Sequence, residues 1–421
     1  MEYMKIKNIY SYEIIASGGY PSIETVVELE DGTIGKASVP YGASAGSHEA
    51  SVLLDGDKSR FRGKGMEKSV GFINGEICEN LRGWDATDQR AVDNRMKELD
   101  GTPNKTRLGG NTILSVSIAT ARAAANFKKM ELYEHIVDHF KSQPNYSDLP
   151  KPMVVVIEGG KHASNSTDVQ EYCLTAVKNV PTIDNLQKVL ETYHNLKQIL
   201  NDNGLNSNVG NEGAFAPSGI ESNTKPFDLI VEAMKVSGYT KEDLGISIDA
   251  AASEFFEKGK YNLKLEGLQL DSMELIQYYR TWLGKYPLIT VEDMLDEDDW
   301  QYWPVMKKLC DEYKLPLIGD DLTVTNPERL QKALDTDSIS GILIKLNQIG
   351  TLTETVDTCM QATNAGIINV PSHRGGGETN DTAMIDLAVA VGAKYIKVGP
   401  TRGERVEKYN RLIEIERILR A

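Results

Sequence analysis

Three acidic residues stand directly after short apolar runs of the sequence. These residues are Asp249, Glu292 and Asp320, which follow Ile246-Ser-Ile, Leu288-Ile-Thr-Val and Leu317-Ile-Gly. Carboxylate oxygens are preferred ligands of Mg²⁺, whereas zinc favours histidine and cysteine, which are missing at these positions. Any one of the three acids could instead cap the start of a following helix. Their repeated placement predicts a carboxylate site for Mg²⁺.

Two lysines and one histidine, Lys345, Lys397 and His373, also end apolar runs. A lysine on its own is usually a solvated residue or the partner of an acid. Beside a bound cation, however, the protonated form of a lysine is disfavoured, and its pKa moves toward the range of a general base. We therefore predict that Lys345 and Lys397 lie near the metal and that a lysine there, Lys345 in our leading interpretation, acts as a catalytic base.

The six positions follow one another at intervals of 24 to 43 residues. One strand-and-helix unit of an α/β barrel occupies about 30 residues, and the carboxyl ends of its strands surround the active site. From Met153 onward, short apolar strands alternate with amphipathic helices, the pattern of a mainly parallel sheet or barrel. Local signals include Asn326 and Pro327 at a helix start and Gly366 after a helix at 351–364. The fold class predicted for this part is an α/β barrel.

The first part of the chain has a different pattern. Residues 23–29 and 33–39 read as strands joined by a turn at Asp31-Gly32, and helical spacing follows around 66–81, 87–99 and 111–128. Strands followed by helices predict a small α+β domain, for which we assign residues 1–138. A segment with two prolines then leads into the barrel domain, for which we assign residues 139–421.

A glycine run follows His373 and could bind an anion. Backbone N–H groups at Gly375 and its neighbours allow close approach, and Arg374 can donate two parallel hydrogen bonds to a phosphate or carboxylate. The alternative is an ordinary mobile loop. The adjoining arginine favours the anion site.

The composition narrows the class of protein. With 46 Lys and Arg against 61 Asp and Glu, the net charge of −15 argues against a nucleic-acid or membrane-surface partner. The four cysteines form no C-x-x-C pair, and no apolar run approaches the roughly 20 residues of a membrane span. We expect a folded cytoplasmic protein with reduced thiols.

Four longer motifs carry a resemblance: Glu98-Leu-Asp-Gly-Thr-Pro-Asn-Lys105, Gly319-Asp-Asp-Leu-Thr-Val-Thr325, Leu343-Ile-Lys-Leu-Asn-Gln-Ile-Gly-Thr351 and Ser372-His-Arg374. Through them nearly the whole chain resembles the enolase family, Mg²⁺-dependent enzymes that dehydrate 2-phosphoglycerate to phosphoenolpyruvate. The resemblance implies a small α+β domain before a modified TIM barrel, two Mg²⁺ ions per active site, an anionic carboxylate substrate, and a homodimer or larger homo-oligomer. A Lys base with Mg²⁺ is the established pattern of such sites.

The resemblance also implies roles for individual residues. Asp249, Glu292 and Asp320 match the ligands of one metal, and Ser44 matches a ligand of the second. Lys345 matches the base, Glu212 the acid that helps hydroxide depart, and Glu171 and Lys397 their partners in the site. The remaining pocket residues implied by the match are His162, Gln170, His373, the phosphate-binding Arg374, and Gly375 where the family has a serine.

The sequence departs from the family pattern at several positions. The family's Asp-Ser-Arg-Gly-Asn-Pro reads Ala16-Ser-Gly-Gly-Tyr-Pro21, which affects the expected subunit contact. Glu158 replaces an asparagine, Asn211 an aspartate and Gly375 a serine, and one glycine is added after Arg374. Two alternatives therefore stand beside the leading interpretation: a dehydratase for a related acidic 3-hydroxy carboxylate, and a non-catalytic binding role, which Lys345, Glu171 and Glu212 oppose.

Overall fold

A three-stranded antiparallel sheet opens the chain in the computed structural model, which describes residues 4–40 and 48–421. The strands, in sheet order, are β1 (Ile6–Ile15), β2 (Pro21–Leu29) and β3 (Ile34–Ser38). Gly32 has a φ of +87° in the turn between β2 and β3, a conformation that glycine adopts without steric cost. The predicted hairpin is confirmed.

Five α-helices follow among the described residues of this first part of the chain. They are α1 (Glu67–Phe72), α2 (Cys78–Leu81), α3 (Gln89–Asp100), α4 (Gly110–Lys128) and α5 (Leu132–Phe140), with a single π-helical turn between α1 and α2. The alanine-rich α4 packs so closely on the sheet that a Cβ at Gly35 would lie 2.2 Å from Ala119 O. The predicted helices are confirmed, and α5 is an additional one.

The second part is an eight-stranded barrel. Its strands in sheet order are β13 (Ile368–Pro371), β12 (Gly341–Ile344), β11 (Leu317–Gly319), β10 (Leu288–Glu292), β6 (Leu244–Asp249), β5 (Glu171–Ala176), β4 (Lys151–Glu158) and β14 (Tyr395–Val398). The barrel closes where His373 N donates to Lys397 O at 3.0 Å. This confirms the predicted small domain and barrel.

One strand departs from the parallel arrangement. Residues 159–170 join β4 to β5 without a helix, and β5 runs antiparallel to both of its neighbours. Parallel strands are usually joined through a crossover helix, which this connection lacks. Because its direction is reversed, the first residue of β5, Glu171, lies opposite Asp249, the last residue of β6. An acid that begins one strand therefore lies beside an acid that ends another.

Helices follow most barrel strands. They are α6 (Thr182–Asp202), α7 (Lys225–Val236), α8 (Ser272–Arg280), α9 (Trp303–Glu312), α10 (Pro327–Asp335), α11 (Leu346–Ile349), α12 (Leu352–Asn364), α13 (Ala383–Ala390) and α14 (Arg405–Arg420). A small sheet of β7 (Phe256–Glu257), β8 (Lys260–Leu263) and β9 (Leu268–Leu270) precedes α8. Asn326 caps α10 as predicted, and Gly366 follows α12 with a φ of +76°. Within the described ranges, none of these helices has the length and apolar character required to cross a bilayer.

Candidate active site

Lys397 lies among three carboxylates from neighbouring strands. Its Nζ atom is 2.8 to 3.0 Å from oxygens of Glu171, Asp249 and Glu292. The strand register produces this arrangement, because Asp249 pairs with Glu171 on one side and with Glu292 on the other. Burial acts to lower the pKa of Lys397, but the three negative charges outweigh it and the pKa is raised. Lys397 is therefore a buried ammonium.

Lys345, at the end of β12, contacts a different acid. Its Nζ atom is 2.5 Å from Asp320 Oδ2, and the other carboxylate oxygen accepts from Gln348 Nε2 at 2.8 Å. Burial acts to lower the pKa of Lys345, but the charge of Asp320 prevails and raises it. The lowered pKa expected from the sequence depends on a metal's positive charge, which the protein groups alone do not provide.

The acidic residues suit a hard cation. Ligand oxygens of Asp249, Glu292 and Asp293 lie within 4.8 Å of one another, and so do those of Asp293, Asp320 and Asp321. Burial, and then repulsion from neighbouring carboxylates, raises the pKa of Asp293. A bound cation would relieve this repulsion, and an all-oxygen donor set suits Mg²⁺. The three predicted ligands thus converge, with Asp293 linking the two groups.

A second cluster contains the predicted acid and two histidines. Glu212 Oε2 is 3.2 Å from His373 Nε2, and Glu212 Oε1 is 3.8 Å from His162 Nδ1. The same His162 nitrogen is 3.3 Å from Glu171 Oε1. Burial acts to lower the pKa of His162, but the carboxylates raise it to about 9. His162 therefore carries a proton at neutral pH, next to Glu212.

Glu158 lies behind this cluster, fully buried at the end of β4. Its Oε2 atom accepts a hydrogen bond from Glu212 N at 3.0 Å. Burial, and then repulsion from Glu212, raises its pKa from 4.5 to about 8. Glu158 is thus mainly a neutral acid at pH 7, with its carboxyl group held against the backbone of Glu212.

The predicted anion-binding residues, Arg374 and Gly375, line the same part of the site as Glu212. Arg374 Nη1 is 2.9 Å from Glu49 Oε1, and both side chains are buried. A Cβ added at Gly375 would lie 2.3 Å from Glu212 Oε1. The glycine therefore lets the backbone after Arg374 approach the predicted acid.

One cavity of about 310 Å³ joins these groups. Its lining includes every predicted site residue of the described chain except Glu292: Lys345, Glu212, Glu171, Lys397, His373, His162, Gln170, Arg374, Gly375, Asp249 and Asp320. Glu292 is buried beside Lys397. Gln170 Nε2 donates to Asp249 Oδ2 at 3.4 Å. Ser44 lies outside the described residues.

Several residues of the site, among them Asp293, Asp321, Gln348 and Glu49, were not predicted from the sequence. Asp293 accepts from the backbone N–H groups of Asp320 and Asp321 at 2.9 and 2.7 Å, and its position directly after Glu292 was an available signal. Gln348, which contacts Asp320, stands within the quoted motif 343–351. Glu49 has no comparable local signal, because only the folded chain brings it to Arg374.

Comparison with family models matches two consecutive stretches of the chain. Residues 6–136 match "Enolase, N-terminal domain", and residues 146–421 match "Enolase, C-terminal TIM barrel domain". The two matches cover the small sheet domain and the barrel, respectively. Enolases are generally metal-dependent, in keeping with the carboxylate clusters at the strand ends.

Proposed function

Because the chain belongs to the enolase family, and is therefore a lyase-type enzyme, we propose that it catalyses the reversible, Mg²⁺-dependent dehydration of 2-phosphoglycerate to phosphoenolpyruvate. One observation carries the proposal: the predicted base, the predicted acid, the three predicted carboxylate ligands of the metal and the anion-binding arginine meet at a single cavity or directly behind it. The resemblance matches these residues one by one, whereas the cavity brings them together in this chain.

The proposed reaction consists of two proton transfers, one from C2 of the substrate and one to its C3 hydroxyl group. Lys345, as the neutral amine, takes the proton from C2 of the substrate, and the bonding electrons move into the carboxylate to give an enediolate. Glu212 delivers a proton to the departing C3 hydroxyl, which leaves as water as the double bond forms. Burial acts to raise the pKa of Glu212, but His373 and His162 outweigh it and lower the pKa, so Glu212 must take up its proton as the negatively charged substrate enters the cavity.

Asp249, Glu292 and Asp320 are the residues proposed to hold the metal, together with Ser44 for a second ion. When bound there, Mg²⁺ supplies positive charge that favours the neutral form of Lys345 and stabilises the additional negative charge of the enediolate. Lys397 adds a fixed positive charge from within the protein, since it is buried among three acids. Arg374 is the residue proposed to bind the phosphate, which its position in the lining of the cavity supports.

A direct assay tests the proposal. Purified protein with Mg²⁺ is expected to form phosphoenolpyruvate from 2-phosphoglycerate, followed by ultraviolet absorbance and phosphorus NMR. Treatment with EDTA should abolish the signal, and added Mg²⁺ should restore it. A folded, metal-loaded preparation that forms no phosphoenolpyruvate would exclude this substrate.

A related substrate is the second candidate, favoured by the contact between Gly375 and Glu212. Because a Cβ at position 375 would lie 2.3 Å from Glu212 Oε1, a serine side chain does not fit there without movement of the loop or of Glu212. The pocket could therefore select another 3-hydroxy carboxylate that carries a phosphate, phosphonate or other acidic group. A substrate panel decides between the two, because this candidate requires an analogue with a higher kcat/KM than 2-phosphoglycerate.

We further propose a cytoplasmic homodimer or larger homo-oligomer with a small anionic carboxylate as its substrate. The assembly is an expectation that comes from the sequence resemblance to the enolase family. Sedimentation equilibrium of the purified chain tests it, and a mass of one chain at all concentrations would contradict it.

A further inference from the structure

The connection between β1 and β2, residues Ala16–Tyr20, lies against the loop that follows Arg374. Two hydrogen bonds join them: Ser17 N donates to Glu378 O at 2.8 Å, and Glu378 N donates to Ser17 Oγ at 3.0 Å. The first segment belongs to the small sheet domain and the second to the barrel. A turn of the first domain therefore contacts the predicted anion-binding loop.

Gly18 makes the closest approach in this contact. A Cβ built on Gly18 would lie 2.5 Å from the backbone oxygen of Gly376, closer than a carbon and an oxygen can pack. Gly18 is not among the residues with positive φ, so its backbone conformation would suit other residues as well. The contact with Gly376, rather than the backbone angle, requires glycine here. Since the contacted atom belongs to the backbone, only a shift of one of the two segments could accommodate a side chain.

The opposite side of the same loop contacts the site. Gly375 approaches Glu212, as described above, and Glu378 Oε1 accepts from Arg374 N at 2.5 Å. Glu378 is in turn paired with the buried Lys408, whose Nζ atom is 2.7 Å from Glu378 Oε2. The loop Gly375–Glu378 is thus held between Gly18 and the pair Glu212 and Arg374, with little space to move toward either.

We propose that Gly18 is a positioning residue for substrate selection: the absence of a side chain there sets the position of the loop Gly375–Glu378, and through it the pocket that receives the substrate's phosphate or phosphonate group. The identity of that group rests on the proposed function. Ser17 assists by bonding the amide of Glu378. The small domain therefore contributes to anion selection without contacting the substrate.

The variant Gly18→Ala tests this, with inorganic phosphate as the probe and binding measured by calorimetry in the presence of Mg²⁺. The dissociation constant for phosphate should rise by about tenfold or more, which corresponds to about 1.4 kcal/mol. The affinity for Mg²⁺ alone should remain that of the wild type, because the metal ligands stand on other strands. Hydrogen exchange of amides 374–379 should become faster.

Gly71→Ala is the matched control. Gly71 lies in the same domain as Gly18, and a Cβ added there would meet nothing within 4 Å. Ser17→Ala is a milder second variant, which tests the inference if Gly18→Ala does not fold. It should weaken phosphate binding by about threefold. A folded Gly18→Ala or, failing that, Ser17→Ala protein with unchanged phosphate affinity would overturn the inference, as would a wild-type protein that binds no phosphate. A wild-type protein that binds phosphate but dehydrates no substrate would refute the proposed function alone.

Discussion

At the scale of single residues, the two lysines of the site are held by the acids that are proposed to bind the metal. Lys397 contacts Asp249 and Glu292, and Lys345 contacts Asp320. A cation at these carboxylates competes with the lysines for the same oxygens. If these carboxylates bind the metal as proposed, metal binding and the protonation of Lys345 are coupled, because both depend on the charge of Asp320.

Lys345→Ala should reduce kcat by about 100- to 10,000-fold, the range expected for loss of a general base. The substitution removes the amine but leaves the metal-binding carboxylates in place, so Mg²⁺ binding should persist. Steady-state kinetics on the substrate that the assay identifies, with circular dichroism to verify folding, provide the measurement. Lys307→Ala, at a salt bridge of α9 away from the cavity, serves as the control and should keep wild-type turnover. Comparable turnover in both variants would argue against Lys345 as the base.

Glu158→Gln should stabilise the protein at neutral pH. The folded-state pKa of Glu158 is about 8, whereas the carboxyl group in the unfolded chain titrates near 4.5. Between these values the unfolded chain binds fewer protons than the native protein, so the free energy of unfolding falls as pH rises from 4.5 through 8. At pH 7 this loss is about 3 kcal/mol, and glutamine avoids it while still accepting from Glu212 N.

Denaturant unfolding of wild type and Glu158→Gln at several pH values between 4.5 and 8 measures this difference. The two curves of unfolding free energy against pH should lie furthest apart at the alkaline end. A difference that does not change with pH would show that Glu158 is ionised in the folded protein.

At the scale of secondary structure, two barrel helices that follow strands with site residues, α10 and α12, begin at side-chain caps. Asn326 Oδ1 accepts from the backbone N–H groups of Glu328 and Arg329 at 2.8 and 3.2 Å at the start of α10. Thr351 accepts from Glu354 N at the start of α12. These caps satisfy amides that have no partner within the helix. They also fix where each helix begins after the strand ends that carry Asp320 and Lys345.

Asn326→Ala should lower the free energy of unfolding by about 1 kcal/mol, because both amides lose their acceptor. Asn326→Ser retains a capping oxygen and should stay within a few tenths of a kcal/mol of the wild type. Chemical denaturation of the three proteins makes the comparison. Equal stability of the alanine and serine variants would mean that the cap contributes nothing measurable.

At the scale of the whole molecule, ion pairs connect the small domain to the barrel. Arg122 of α4 binds Asp381 through two hydrogen bonds of 2.5 and 2.8 Å, and Asp381 also accepts from Ser38 N at 3.0 Å. Arg90 of α3 pairs with Asp357 of α12 in a more exposed position. The first pair therefore holds the sheet, α4 and the barrel together at one buried carboxylate.

Arg122→Ala should destabilise the protein by about 3 kcal/mol, since it leaves the charge of Asp381 buried without its main partner. Arg90→Ala removes a surface pair of similar geometry and should cost at most about 1 kcal/mol. The free energy of unfolding of both variants, measured in denaturant, gives the comparison. Equal effects would mean that solvent reaches Asp381 as readily as Asp357.

Much of the site follows from local pattern. Asp249, Glu292, Asp320 and Lys345 could be predicted as neighbours because each ends an apolar run, and strand ends converge in a barrel. The helix starts at Asn326 and the hairpin at Gly32 depend on a few consecutive residues, so they too were predicted correctly. The same reasoning could have predicted Asp293 but did not, although Asp293 follows Glu292 directly.

The sequence by itself therefore determined the α/β barrel class, the alternation of strands and helices over most of the barrel, and which strand ends carry reactive groups, because hydrophobic periodicity and capping are local. Tertiary structure alone decided the rest. The reversal of β5 placed Glu171 beside Asp249, and folding brought Glu49 to Arg374 and Gly18 to Gly376. These contacts join residues far apart in the chain, and they depend on how the domains pack rather than on any pattern of neighbouring residues.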